Sequence, residues 1–106
     1  MASFMVQFSY TEQGLKGLLK EGGSKRREAT EQLIKSLGGR LVAYYFAFGD
    51  YEGFAIVDGV DNVDTAAAAL IVDASGAVRT KTTVLLTPEE VDKATQKSGN
   101  YRAPGQ

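Results

Sequence analysis

In two stretches of the chain, successive side chains would project from opposite sides of an extended backbone, with different residue types on the two sides. The stretches are residues 3–9 and 77–86, and a period of two predicts a β-strand in each. One side of the first strand carries Phe4, Val6 and Phe8. The second strand is rich in β-branched residues, with Arg79, Lys81 and Thr83 on one side and Val78, Thr80, Thr82 and Val84 on the other. We assign both as strands of one sheet.

After the first strand, apolar residues recur every three or four positions, which predicts helices. A first helix begins after Thr11, a good N-cap, and is interrupted at Gly22-Gly23. A second helix has Ser24 as its predicted cap, and Gly38 is suited to stop it. The apolar faces are predicted to comprise Leu15, Leu18 and Leu19 in the first helix and Ala29, Leu33, Ile34 and Leu37 in the second.

Two further helices follow in the second half of the chain. Asp61 is the predicted cap of the third helix, and Gly76 ends it. Its predicted buried face comprises Val63, Ala66, Ala67, Leu70, Ile71 and Ala74. Residues 87–90 place Thr at the N-cap, Pro at the first helical position and Glu at the third, so a short helix should run from there to about Lys97.

Residues 38–59 read as two strands joined by a tight hairpin at Gly49-Asp50. The first of these strands has no polar face. One predicted face carries Leu41, Ala43, Tyr45 and Ala47, and the other carries Val42, Tyr44, Phe46 and Phe48. A strand with water on one side should alternate between apolar and polar residues. One face can meet the helices, so we expect another subunit or a ligand to cover the other.

The order of elements is therefore β-α-β-β-α-β with an additional terminal helix. This is the ferredoxin-like α+β arrangement, in which two interlocked crossovers place the first and third strands at the centre of a four-stranded antiparallel sheet. The helices of the two crossovers then cover one face of the sheet. We predict one domain over residues 1–97 and a flexible tail over residues 98–106, which contains Gly, Asn and Pro.

The chain contains no cysteine and no histidine. Disulfides, thiolate or imidazole metal sites, a Ser-His-Asp triad and a His- or Cys-ligated haem are thereby excluded for this chain. We expect neither a metal nor a cofactor. Cytoplasm is the simplest expectation for the compartment, because we find no signal peptide and no apolar run long enough to cross a membrane.

The net charge of −1 argues against nucleic-acid binding, which usually requires a basic surface. The RNA-recognition motif shares this order of elements and stacks bases on aromatic residues of its central strands. Phe54 fits one such position, but Ile56 stands where a second aromatic is needed and Glu52 replaces the usual basic residue. We therefore expect no nucleic-acid partner and no membrane partner.

Several local motifs resemble the GYD-domain family, small bacterial proteins of the dimeric α+β barrel superfamily. The matching segments are residues 11–14, 37–41, 49–52, 78–82 and 87–90. At the hairpin the chain reads Gly49-Asp50-Tyr51-Glu52, with Glu52 where the family usually has Asp. The resemblance implies a ferredoxin-like fold that pairs through its open sheet face into a homodimer or a higher oligomer. It implies no particular activity.

Six positions carry the polar residues expected to meet near the sheet: Arg79, Lys81, Tyr44 or Tyr45, Asp50, Tyr51 and Glu52. From these we predict a ligand-binding set of Tyr45, Asp50, Tyr51, Arg79 and Lys81. Arg79 and Lys81 could hold a carboxylate or phosphate, or could simply protect an edge strand from pairing. The segment Asp50-Tyr51-Glu52 could supply a general acid or a phenol hydrogen bond. Alternatively, Asp50 could be a turn residue chosen for its backbone, and Tyr51 could cap the core with its hydroxyl in water.

The segment Lys25-Arg26-Arg27 opens a helix, where cations are disfavoured. It could indicate an anionic partner or a solvated helix face. Two functional hypotheses remain. The first is a small oligomeric module that binds a small molecule or is purely structural. The second is a cofactor-independent enzyme acting on a small apolar or aromatic substrate between sheet and helices.

Overall fold

All four strands join one antiparallel sheet in the order β2-β3-β1-β4. The computed structural model describes residues 2–106. The elements are β1 (Ala2–Tyr10), α1 (Glu12–Glu21), α2 (Gly23–Ser36), β2 (Arg40–Phe46), β3 (Gly53–Val60), α3 (Asn62–Ala74), β4 (Val78–Leu85) and α4 (Pro88–Thr95). The first and third strands occupy the centre of the sheet. The ferredoxin-like α+β prediction is thereby confirmed.

Helices α2 and α3 cover one face of the sheet, called the inner face from here on, and the opposite side is the outer face. The core lies between the inner face and these two helices. It comprises Phe4, Ile34, Val57, Val60 and Ala68, with Leu33, Leu37 and Leu41 packed against it. The alternation predicted for the first and last strands places their apolar sides here, since Phe4 pairs with both Val57 and Val84.

Side-chain caps begin three of the four helices where the sequence predicted them. The Thr11 hydroxyl accepts a hydrogen bond from the Gly14 backbone N–H. Asp61 and Thr87 each form a complete capping box at the start of α3 and α4. The prediction that Ser24 caps the second helix was wrong. That helix begins at Gly23 and has no side-chain cap, because Gly22 with φ of 85° already redirects the chain.

The alternation of β2 is shifted by one residue at Val42. Leu41 and Ala43 pair with consecutive residues of β3, so Val42 is the extra residue of a β-bulge. The inner face of β2 therefore carries Leu41, Tyr44 and Phe46, and its outer face carries Ala43 and Tyr45. The predicted grouping of Leu41 with Tyr45 was wrong because a strict period of two contains no bulge.

The connection between β2 and β3 is a six-residue loop over residues 47–52 and not a two-residue turn. The Ala47 N–H donates to the Glu52 carbonyl oxygen across 2.7 Å, which closes the loop at its base. The Glu52 N–H donates to the carbonyl oxygen of Phe8 on β1. Glu52 therefore bonds to β1, and the pairing of β2 with β3 ends at Phe46 and Gly53. The prediction of a tight hairpin at Gly49-Asp50 was wrong.

Helix α3 buries a different face from the predicted one. Thr65 and Ala68 are buried, whereas Val63 is 75% exposed and Leu70 is 72% exposed. The helix is apolar almost all round, so periodicity does not fix which side is covered. The small residues face the sheet because they allow close approach, and the Thr65 hydroxyl is satisfied by donating to the Asp61 carbonyl oxygen at 2.8 Å.

The C-terminal segment projects from the rest of the chain. Every residue from 86 to 106 is exposed, including the whole of α4, which ends at Thr95. The radius of gyration of 16.9 Å exceeds the roughly 13 Å expected for a compact chain of this length. Within the described residues, helix α4 therefore has no buried side chain and adds nothing to the core.

Candidate ligand cavity

A cavity of about 70 Å³ lies between the inner face and helices α2 and α3. Six elements contribute to its wall: β1, α2, β2, β3, α3 and β4. Most of the wall is apolar and includes Val6, Leu33, Val57, Ala68, Val72 and Val78. The cavity therefore adjoins the core, since Ile34, Val57 and Ala68 belong to both.

Small side chains leave this space open. Ala55 lies on the inner face of β3, and Ala68 and Ala69 face it from α3. Side chains of this size stop short of one another where leucine or phenylalanine would meet. Protein cores are normally packed without such voids, since lining atoms without neighbours forfeit dispersion contacts. A ligand that filled the cavity would supply those contacts.

An aromatic cluster of four residues lies at one end of the inner face. Phe8 stacks on Tyr44, with ring centroids 5.2 Å apart and planes at 24°. The edges of Tyr10 and Phe46 meet the Phe8 ring at centroid distances of 5.7 Å and 5.9 Å. Phe8, Tyr10 and Tyr44 also line the cavity. This end therefore presents ring surfaces and two phenol hydroxyls to anything bound inside.

Among residues 2–106, Arg26 is the one charged residue that lines the cavity. Its Nη1 donates a hydrogen bond to Glu21 Oε1 at 3.1 Å, and its side chain is 31% exposed. Burial lowers the pKa of Arg26, but the hydrogen bond to Glu21 and the nearby Tyr10 hydroxyl outweigh it and raise the pKa overall. A permanent positive charge is thus held beside the aromatic cluster.

Tyr44 is a neutral phenol in this setting. Burial raises its pKa well above the ordinary value, and the Tyr10 hydroxyl adds to the increase. Thr30 and Arg26 act in the opposite direction with less effect. Because its proton is held so firmly, Tyr44 is a hydrogen-bond donor at neutral pH and is unsuited to act as a base.

The predicted ligand-binding residues lie away from this cavity. Tyr45, Arg79 and Lys81 are on the outer face, and Asp50 and Tyr51 are in the loop between β2 and β3. Arg79 and Lys81 lie on β4, an edge strand, which is the position required by the alternative that they discourage edge pairing. The structure does not gather the five into one pocket. Their role in binding stays a prediction.

Glu52 has a structural partner. Its Oε1 accepts a hydrogen bond from the Tyr10 backbone N–H at 2.7 Å. This N–H lies beyond the last residue of β1 that pairs with β3, so the carboxylate replaces a ladder partner. The acid at the fourth position of the Gly49–Glu52 motif therefore holds the end of β1, next to the aromatic cluster.

Sequence reasoning missed Tyr10, singled out Arg26 only as part of the basic segment 25–27, and left Tyr44 and Tyr45 as alternatives. Tyr10 continues the alternation of Phe4, Val6 and Phe8 by one step, so its inward direction could have been read from the first strand. Arg26 lies in the basic segment 25–27 but is half-buried, while its two neighbours are exposed. The choice of Tyr44 over Tyr45 required the bulge at Val42.

None of the helices within residues 2–106 is long and apolar enough to cross a membrane. No cluster of three or more acidic residues within the described chain is arranged to hold a metal ion.

Comparison with known proteins agrees with the local motifs. The GYD domain family model matches residues 4–95. A protein of Thermus thermophilus described as glutamine synthetase and cystathionine beta-lyase binding protein is 30% identical over 82 residues, which cover 77% of this chain and 85% of that protein. No solved structure matches. Because the family model spans most of the chain, the protein belongs to the GYD domain family.

Proposed function

We propose that this protein is a small-molecule-binding module whose ligand occupies the cavity between the inner face and helices α2 and α3. The observation that carries the proposal is the hollow within the core, walled by six elements and bearing polar groups at its aromatic end. Binding sites in proteins are typically apolar hollows with a few well-placed polar groups. This cavity has that composition.

The volume limits what the ligand can be. Pockets for drug-sized molecules measure about 300–1,000 Å³. A cavity of about 70 Å³ is roughly half the size of an engineered core cavity of about 150 Å³ that binds benzene, so the ligand is at most a single ring or a short chain. A single ring enters only if side chains of the wall move apart.

A cavity-filling variant tests the proposal. Ala69→Leu extends a side chain from α3 into the space, and Ala66→Leu makes the same change at an exposed position of the same helix. Titration with benzyl alcohol, followed by amide NMR shifts, should give saturable binding in the wild type and in Ala66→Leu. Binding should weaken at least about tenfold in Ala69→Leu, because the leucine occupies the ligand's volume.

The proposal is overturned if benzyl alcohol, indole and benzoate all fail to shift the resonances of the cavity residues. It is also overturned if Ala69→Leu, shown to be folded by its amide spectrum, binds as well as Ala66→Leu. Either result would mean that the cavity is a packing defect and that any ligand binds elsewhere.

The outer face supports a second part of the proposal, that the protein is a homodimer or a higher homo-oligomer. Met5, Phe54 and Ile56 lie on this face half-buried, and Tyr45 is 61% exposed. Pairing two such faces would bury their apolar side chains and enlarge the core of a small protein. Light scattering of the purified protein tests it, and a monomer at micromolar concentration would contradict it.

The enzyme hypothesis lacks a candidate acid or base in the cavity. Among residues 2–106 no aspartate, glutamate or lysine lines it, and the pKa of Tyr44 is raised by burial. The residues to which acid–base work would fall, Tyr45, Asp50, Tyr51 and Arg79, lie on the outer face or in the loop. Binding without turnover is therefore the function that this arrangement supports better.

Protein binding is a second candidate, supported by the exposed apolar side of α3. Val63, Leu70 and Ile71 are all more than half exposed, and residues of this kind on a helix are typical of docking surfaces. The Thermus relative is described as binding glutamine synthetase and cystathionine beta-lyase. If this protein acts in the same way, purified glutamine synthetase from the organism that produces it should bind the immobilised protein in a surface-plasmon-resonance assay.

A matched pair of variants sharpens this test. Leu70→Glu should reduce binding of the synthetase at least about tenfold, because it places a charge in the contact. Leu19→Glu makes the same change on α1, where Leu19 is also exposed, and should leave binding unchanged. Equal binding by both variants would exclude α3 as the docking surface.

A further inference from the structure

The cavity wall is electrostatically one-sided. Within residues 2–106, its charged group is the Arg26 guanidinium, and its other polar groups are hydroxyls of Tyr10, Tyr44 and threonines. Hydroxyls can donate or accept, but a guanidinium only donates. A bound molecule with a negative group would therefore find complementary donors at one end and apolar contacts elsewhere.

The guanidinium has donors to spare. It carries five N–H groups, and its hydrogen bond to Glu21 uses one, on Nη1. The nearby Tyr10 hydroxyl can take another of these N–H groups, which leaves three of the five. Arginine presents a fork that matches a carboxylate with two parallel hydrogen bonds. The remaining N–H groups are sufficient for that geometry.

The rings beside Arg26 favour a planar partner. Phe8, Tyr10 and Tyr44 line the cavity and already pack on one another at centroid distances of 5.2 Å and 5.7 Å. Aromatic pairs in edge or offset geometry contribute beyond the area that they bury. A further ring bound against this cluster would extend the same packing.

We propose that the cavity binds a small aromatic carboxylate, with its ring among the inner-face side chains and its carboxylate at Arg26 and the Tyr44 hydroxyl. This inference rests on the proposed function and specifies its ligand. A single-ring acid is closer in size to the cavity than a nucleotide or a sugar phosphate, and these two are also too polar for a wall with this composition. Arg26 thereby determines specificity.

Three probes separate the carboxylate from the ring: benzoate, benzyl alcohol and acetate. Benzoate should bind the wild type about 10- to 100-fold more tightly than benzyl alcohol, because a hydrogen-bonded charge pair replaces a neutral contact. Acetate lacks the ring and should bind much more weakly than benzoate. NMR titration of the full chain at neutral pH measures all three affinities.

Substitutions in α2 assign the effect to Arg26. Arg26→Met should remove the advantage of benzoate over benzyl alcohol, measured as the ratio of their two affinities. Lys25→Met removes the same charge from an exposed neighbour and should leave the advantage intact. Arg26→Lys retains the charge without the planar fork, so its advantage should fall between those of the wild type and Arg26→Met.

The outcomes distinguish this inference from the proposed function. Equal affinities of the wild type for benzoate and benzyl alcohol overturn the carboxylate specificity and leave the cavity as a binding site. An advantage that survives in Arg26→Met places the carboxylate elsewhere and also overturns the inference. If none of the probes bind, the proposed function itself fails.

Discussion

The two faces of the sheet are both apolar but differ in what covers them. Phe4 on the inner face is 2% exposed, whereas Tyr45 on the outer face is 61% exposed. The inner face is covered by α2 and α3 and encloses the cavity. None of the helices within residues 2–106 covers the outer face. Apolar composition of a strand therefore predicts burial without identifying the partner that provides it.

This difference separates two roles along the same strands. In β2 the inward Tyr44 lines the cavity, while the next residue, Tyr45, stacks against Phe54 on the outer face at 5.7 Å. The bulge at Val42 decides which tyrosine points in which direction. A single-residue change in register would exchange them, so the proposed ligand binding and the proposed subunit pairing both depend on this local irregularity.

A matched pair of phenylalanine substitutions gives the largest expected contrast between the faces. Phe4→Ala should lower the free energy of unfolding by about 3–5 kcal/mol, because it leaves a cavity in the core. Phe54→Ala on the outer face should cost about 1 kcal/mol or less in the monomer. Urea unfolding measures both. Equal losses would mean that the outer face is as well packed as the core.

A charge on the outer face should break subunit pairing and leave the fold intact. Tyr45→Glu places a carboxylate where two outer faces would meet, which costs several kcal/mol when it is buried unpaired. We expect light scattering to show a dimer or larger species for the wild type and a monomer for the variant, with unchanged circular dichroism. An unchanged native mass in Tyr45→Glu would remove the outer face as the interface.

Gly53→Ala tests how tightly the aromatic cluster is packed on the inner face. A Cβ at this position would collide with the Phe8 ring and with the Tyr45 carbonyl oxygen. We expect a loss of about 1–3 kcal/mol in unfolding free energy, together with weaker binding of benzyl alcohol. Gly17→Ala is the control, since a Cβ there meets open space and should stabilise α1 by roughly 0.5–1 kcal/mol. Calorimetry distinguishes the two.

Glu52 should matter as a hydrogen-bond acceptor and not as an acid. Glu52→Ala leaves the Tyr10 N–H without its partner and should cost about 1–2 kcal/mol in urea unfolding. Glu52→Gln keeps an acceptor oxygen and should recover most of that loss. If the glutamine variant is as unstable as the alanine variant, the negative charge of Glu52 has a further role.

The smallest expected effect is a pH dependence from the outer face. A hydrogen bond from Arg40 lowers the pKa of Asp58, with the two groups 2.8 Å apart. The stability that this pair contributes is present above the ordinary aspartate pKa and is lost as the pH falls through the lowered value. Arg40→Met should remove that part of the acid limb in urea unfolding followed from pH 7 to pH 2. An unchanged limb would mean that the pair contributes nothing measurable.

Most of the fold could be predicted because local chemistry and global topology agree. The capping residues Thr11, Asp61 and Thr87 begin their helices as predicted, and the alternation of β1 and β4 placed their inner sides correctly. The order of elements then left few topologies possible. These are features in which a few neighbouring residues determine the outcome.

The cavity could not be predicted because it depends on irregularities and long-range contacts. The bulge at Val42 reverses the faces of β2, and the contact of Glu52 with Tyr10 spans 42 positions. Helix α3 is apolar almost all round, so only packing decides that Ala68 faces the sheet. Arg26 has the same charge as its neighbours Lys25 and Arg27, and the sequence does not show that its side chain alone is half-buried against the cavity.

The most direct test of the account is to locate a bound probe on one face of the sheet. Nuclear Overhauser contacts between the ring protons of benzoate and the methyl groups of the protein give that location. If benzoate binds in the cavity, its ring protons should contact Leu33, Val57 and Val72, which line it. Contacts to Met5 and Ile56 on the outer face, without any to the cavity residues, would contradict binding in the cavity.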